Sequence, residues 1–126
     1  VIINLLTNAV KYTNEGRILF QIKVENVEDI CKLNISVQDT GIGMTEEAID
    51  NLYTKFQRFD MNKNAQVEGT GLGLAITKGL IELMGGEIKV KSKYSQGTTF
   101  IVNITQKIII YIFFISIYCN LNVNLL

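Results

Sequence analysis

Apolar and polar residues alternate along this chain with two different periods. From Val1 to Tyr12 the apolar positions recur at helical spacing, and Asn4 and Asn8 fall on one face, four residues apart. Asn14-Glu15-Gly16 is a turn signal, and after it the period drops to two. Ile18, Phe20, Ile22 and Val24 point one way, while Gln21, Lys23 and Glu25 point the other. Cys31, Leu33, Ile35 and Val37 repeat the alternation after a short polar connection, which predicts an antiparallel pair. Thr45 can cap a short helix with Glu46 and Glu47 in its first turn. A second long helix opens at Gly69-Thr70-Gly71-Leu72-Gly73-Leu74, with apolar positions at Leu72, Ala75, Ile76, Leu80, Leu83 and Met84, and Gly85-Gly86 ends it. Glu87 to Ser92 and Thr98 to Thr105 read as two further strands joined by Ser95-Gln96-Gly97. This order predicts an α+β fold: a two-layer α/β sandwich, a mixed sheet with helices on one face.

Both ends depart from that pattern. Val1-Ile2-Ile3 already reads as helix interior, so the domain is expected to be N-terminally truncated. After Lys107 the composition turns apolar from Ile108 to Cys119, and Asn120, Asn122 and Asn124 then alternate with apolar residues. The expected division is a domain over 1–106 and an apolar tail over 107–126. A spanning helix needs ~20 predominantly apolar residues, and three amides sit near one end of this run. Two readings of the tail stand side by side: a membrane-associated segment, or non-native sequence read through from a gene end.

Composition narrows the chemistry. The 126 residues carry 12 basic and 12 acidic side chains, so the formal net charge is zero, which argues against a general nucleic-acid binder. There is no His, which excludes Ser/His/Asp triads, Cys/His dyads and His metal sites within this chain. Two Cys, Cys31 and Cys119, build neither a disulfide framework nor a four-ligand zinc site. The glycine loop at Gly69 to Gly73 leads into a helix N-terminus, where free N–H groups favour anions. It is not a Walker A loop, because no Gly-Lys-Ser/Thr follows, and no strand precedes it as a dinucleotide fingerprint requires.

Five motifs occur in order: Asn4-Leu5-Leu6-Thr7-Asn8-Ala9-Val10-Lys11-Tyr12-Thr13, Asp39-Thr40-Gly41-Ile42-Gly43-Met44, Phe56-Gln57-Arg58-Phe59, Gly69 to Leu74, and Gly97-Thr98-Thr99-Phe100. Over residues 1 to about 105 the series resembles the N box, first glycine box, F box, second glycine box and final Gly-Thr motif of sensor histidine kinases. The resemblance implies the ATP-binding catalytic domain of a two-component kinase, of the GHKL fold shared with gyrase-type enzymes. It implies that ATP and Mg²⁺ are bound, and that a γ-phosphoryl group passes to a His on a separate dimerisation domain and on to a response-regulator receiver domain. It also places the domain on the cytoplasmic side of an intact protein that is membrane-anchored in many such kinases.

The site residues follow from the same resemblance, and each has a physical rationale. Asn8 offers a hard amide oxygen to Mg²⁺. Lys11 places a point charge on phosphate oxygens, and Tyr12 flanks the nucleotide. The Asp39 carboxylate accepts from the adenine exocyclic amine, where guanine has no donor. Gly41 and Gly43 let the backbone approach the base, beside Met44. Gly69, Thr70, Gly71, Leu72, Gly73 and Leu74 face the phosphates, and Thr98 and Thr99 support the adenine side. Phe56 and Phe59 anchor an ATP lid over Asp60 to Glu68. An Arg that many kinases carry after the second Phe is replaced by Met61, which leaves phosphate contact to Arg58 or Lys63. Hydrolytic relatives carry a Glu at the position of Asn4, and an amide cannot act as general base. Phosphoryl transfer is therefore favoured over a hydrolytic GHKL ATPase; a non-catalytic nucleotide-sensing module is the other alternative, suggested by the incomplete N-terminal helix and by Met61.

Overall fold

The computed structural model describes residues 1–52 and 73–107 in full, and 119–125 as backbone. Helix α1 covers Ile2–Lys11, strand β1 Gly16–Val27 and strand β2 Ile30–Asp39. A helix that begins at 46 and is described to 52 is α2; Thr45 caps it, its Oγ1 accepting from the Ala48 N–H at 3.2 Å. Helix α3 covers Gly73–Leu83, β3 Glu87–Lys93, β4 Gly97–Lys107 and β5 Cys119–Leu125.

Strand alternation builds the core. In the β2–β4 register Leu33, Ile35 and Val37 lie opposite Ile104, Val102 and Phe100. On the same face β1 sets Phe20 and Ile22 opposite Val37 and Ile35, and β3 sets Ile88 and Val90 opposite Val102 and Phe100. Both long helices cover this face: Leu5 and Ala9 of α1 and Ile81 of α3 join the same buried cluster. Leu5, Ile81, Val37 and Val102 are fully enclosed, and burying each such side chain stabilises by about 1.5–3 kcal/mol. The opposite face of the sheet is polar, with Asn34, Asn103, Glu87 and Lys89 linked by hydrogen bonds at 2.6 to 3.1 Å.

Among the described residues the strand order is β3-β4-β2-β1-β5, and every pair is antiparallel. The α+β class and the single helical face agree with the sequence; the mixed sheet does not. A helical crossover from β2 to β3 does return the chain in the same direction, as such connections do. But the hairpin from β3 inserts β4 between the two, so the parallel strands never touch. The end of α3 is as expected. Gly85 adopts φ +70°, its N–H bonds Glu82 O, and the Gly86 N–H reaches back to Ile81 O, a Schellman closure. The apolar stripe expected on α3 is only partly used. Ala75 is buried, whereas Ile76, Leu80 and Leu83 are exposed.

Part of the C-terminal segment belongs to the sheet. The backbone of Cys119–Leu125 pairs with β1, from Ile22↔Cys119 to Gly16↔Leu125. The alternation of Asn120, Asn122 and Asn124 is thus the period of an edge strand. Strand β4 runs to Lys107, one residue past the expected domain end. Residues 108–118 lie outside the described residues. Among those described, no helix is long and apolar enough to cross a membrane.

Candidate functional site

One rank of the inner sheet face is polar across three strands and ends in the buried Ile18 of β1. Ser92, Thr98 and Asp39 lie side by side on β3, β4 and β2, at the end of the sheet where the apolar ranks stop. Asp39 is only 5 % exposed. Its Oδ1 accepts the Gly41 N–H at 2.9 Å and the Thr98 N–H at 3.2 Å. Among the described residues these are its hydrogen bonds, so Oδ2 retains acceptor capacity. Burial is the largest influence on this carboxyl and raises its pKa above the usual carboxylate value, against the lowering effect of the two N–H donors.

Ser92 fixes the hydrogen-bond polarity of the rank. Its hydroxyl accepts from the Met44 N–H at 2.8 Å and donates to Gly97 O at 3.0 Å. A serine has one proton, so in the 2.9 Å contact between Ser92 Oγ and Thr98 Oγ1 it is Thr98 that donates. With its proton spent on Ser92, Thr98 Oγ1 is left as an acceptor beside the Asp39 carboxylate. The end of the sheet therefore offers acceptors to a ligand that carries donors.

The glycine loop after β2 is threaded between α1 and the β3–β4 turn. The Ile42 N–H bonds Tyr12 O at 3.0 Å, and Ile42 O accepts from Ser95 N–H at 2.7 Å. Gly43 has φ +64°, and a Cβ there would sit 2.0 Å from Lys93 O. The Thr13 hydroxyl is buried beneath this loop with no hydrogen-bond partner among the described residues.

These elements enclose a cavity of about 300 Å³. Asp39, Thr98 and Phe100 line it from the sheet, Asn8, Ala9 and Tyr12 from α1, Ile42, Gly43 and Met44 from the loop, and Leu74 from α3. Seven expected residues are thus brought together: Asn8, Tyr12, Asp39, Gly43, Met44, Leu74 and Thr98. Gly41 does not line the cavity but packs on the end of α1, where a Cβ on it would meet Tyr12 O at 2.1 Å. Lys11 is exposed, its Nζ 5.2 Å from the Tyr12 ring centroid. Gly73 faces Asn4 instead of the cavity. Thr99 requires correction. Its register partner Lys91 and the strand alternation put it on the outer face, so Thr98 alone of the pair reaches the site. Arg58, Gly69, Thr70, Gly71 and Leu72, with Phe56, Phe59 and the 60–68 stretch, lie outside the described residues. Ser92 was missed. A serine in phase with Ile88 and Val90 on an otherwise apolar strand face was the available signal.

Asn8 is suited to a hard cation. A magnesium ion takes one or two protein oxygens and completes its shell with phosphates and water. Among the described residues no three His, Cys, Asp or Glu side chains gather as a closed metal cage. The lone amide oxygen at the cavity wall fits the open, phosphate-sharing kind of site.

The fold is shared with solved histidine kinases. Full-length ShkA, solved in complex with AMPPNP, superposes with a TM-score of 0.57 at 30 % identity, over 82 % of this chain and 20 % of that one. The chain belongs to the histidine kinase-, DNA gyrase B- and HSP90-like ATPase family, whose model matches residues 1–108. It is 39 % identical over 101 residues to hybrid signal transduction histidine kinase B of Dictyostelium discoideum, covering 79 % of this chain and 5 % of that protein. It is 43 % identical over 105 residues to the sensor protein GacS of Pseudomonas syringae pv. syringae, covering 82 % of this chain and 12 % of that protein. The chain thus spans a small part of these relatives' length.

Proposed function

We propose that this chain is the ATP-binding catalytic domain of a two-component sensor histidine kinase. The observation that carries the reading is the buried Asp39, which with Thr98 lines a cavity of nucleoside size. Two acceptors there suit the adenine exocyclic amine and reject guanine, which presents a carbonyl oxygen at that position. Asn8 would hold Mg²⁺ and Lys11 would face the phosphates. Bound ATP supplies the phosphoryl group, and the chain's contribution is positioning and charge neutralisation. The chain has no His, so the acceptor lies on a dimerisation domain, and a receiver domain takes the group onward. In the intact protein the domain would face the cytoplasm. Asn4 cannot take a proton from water, which favours transfer over hydrolysis.

The test is transfer of labelled γ-phosphate from ATP to a supplied histidine-bearing dimerisation domain. Label on that His, lost with Asn8→Asp, is the expected result. Steady ATP hydrolysis without transfer would move the chain to the hydrolytic branch, and nucleotide binding with neither activity to a sensing module.

The Asp39 carboxyl also sets a pH dependence. Its ionised form is needed as acceptor, and its pKa in the folded chain is raised. Nucleotide affinity should therefore begin to fall at a higher pH than an ordinary Asp would give. Stability moves the other way. The folded state binds this proton more tightly than the unfolded one, so the burial penalty on the carboxylate is present above the raised pKa and is relieved as pH falls through it. Calorimetric titrations at descending pH, with Asp39→Asn as a reference lacking this titration, check both signs.

A further inference from the structure

A side-chain hydrogen bond joins the two long helices. Asn4 Nδ2 donates to Thr77 Oγ1 at 2.9 Å, and Thr77 is buried at 3 % exposure. The same amide is seated against the first residue of α3. A Cβ on Gly73 would lie 2.8 Å from Asn4 Oδ1 and 3.1 Å from Nδ2. Neither Asn4 nor Thr77 lines the cavity, but their neighbours do: Asn8 lies one turn along α1 from Asn4, and Leu74 follows Gly73.

We propose that Asn4 and Thr77 form a latch that positions the N-terminus of α3 against Asn8, at the phosphate end of the site. The inference rests on the nucleotide reading above. The first turn of a helix carries N–H groups with no partner inside the helix, and they favour an anion. They help a phosphate that shares a cation with Asn8 only if the spacing between α1 and α3 is held. The Asn4 amide holds it in two ways, by the bond to Thr77 and by filling the space that the missing Gly73 side chain leaves. With one amide N–H on Thr77 and no place on the cavity wall, Asn4 acts through these neighbours rather than on the nucleotide. Asp39, at the sheet end of the cavity, makes no contact with the latch. Loss of the latch should therefore weaken phosphate binding and spare base binding.

The experiment compares Mg-ATP with adenosine by calorimetry on the full chain, in wild type, Asn4→Ala, Thr77→Val, Thr77→Ser and the Asn4→Ala/Thr77→Val double variant. Asn4→Ala and Thr77→Val should each weaken Mg-ATP about five- to tenfold, the worth of one part-buried hydrogen bond. The double variant should be no weaker than the worse single one, adenosine should change less than about twofold, and Thr77→Ser should restore Mg-ATP binding. Equal losses for Mg-ATP and adenosine would overturn the latch, as would a loss with Asn4→Ala that Thr77→Val does not share. A second arm needs no ligand. Amide hydrogen exchange at residues 77–80 should quicken in Thr77→Val while β2 and β4 stay protected, and unchanged exchange there would overturn the latch by itself. A wild-type chain that binds no Mg-ATP would overturn the functional reading, and the exchange arm would still decide the latch.

Discussion

Asp39→Asn is expected to lower Mg-ATP affinity by about ten- to a hundredfold while the chain stays folded. The replacement keeps an oxygen at Oδ1, so the Gly41 and Thr98 N–H groups keep their acceptor. It puts an NH₂ where Oδ2 stood, and two donors then face each other across the base contact. A hydrogen bond to a charged group is worth about 1.5–3 kcal/mol, and each 1.4 kcal/mol is about a tenfold change in affinity. The side chain is buried, so solvent does not screen the loss. Calorimetry reads the affinity, and a thermal melt within a few degrees of wild type shows that the loop survived. Unchanged affinity in a folded variant would remove Asp39 from the site.

Gly97→Ala is expected to destabilise the domain by about 3 kcal/mol or more. Gly97 holds φ +98°, and a Cβ there would lie 2.0 Å from Asp39 O. Strained backbone alone costs on the order of 1–3 kcal/mol, and a clash with a carbonyl inside the sheet adds to it. Relief would push β4 away from β2 at the point where the Thr98 N–H meets Asp39. At about 4–8 °C per kcal/mol for a domain of this size, the melting temperature should drop by roughly 12 °C or more. Gly85 supplies the comparison. It has φ +70°, but a Cβ there meets nothing within 4 Å, so Gly85→Ala should cost only about 1 kcal/mol, the backbone share. Equal melting shifts for the two variants would mean that the close packing at Gly97 contributes nothing.

The elements were legible because period two and period 3.6 are cleanly separated along this chain. Asp39 and Gly43 were legible through the resemblance of Asp39-Thr40-Gly41-Ile42-Gly43-Met44 to a glycine box, and Gly97 as part of the Ser95-Gln96-Gly97 turn. Pairing was harder to read. Crossover direction indicates that β2 and β3 are parallel, but it does not say which strand lies between them, and β4 does. Thr98 and Thr99 look alike as a dipeptide. Only the phase set by Phe100 and Val102 assigns the first to the site and the second to the outer face. Ser92 and Thr77 act through partners distant in sequence, and the Asn4–Thr77 bond spans 73 positions, so no local pattern discloses it. The edge strand over 119–125 was present as an alternation of Asn with apolar residues, but the apolar run before it set the whole segment apart as a tail, read either as membrane-associated or as non-native sequence.

The central claim is that the acceptor-rich end of this cavity reads adenine. Calorimetric titration of the wild-type chain with Mg-ATP and, separately, with Mg-GTP tests it most directly. Saturable one-to-one binding of Mg-ATP, displaced by adenosine, with Mg-GTP at least about tenfold weaker, is the predicted result. Equal affinities for the two nucleotides, or Mg-ATP binding that adenosine cannot displace, would contradict it.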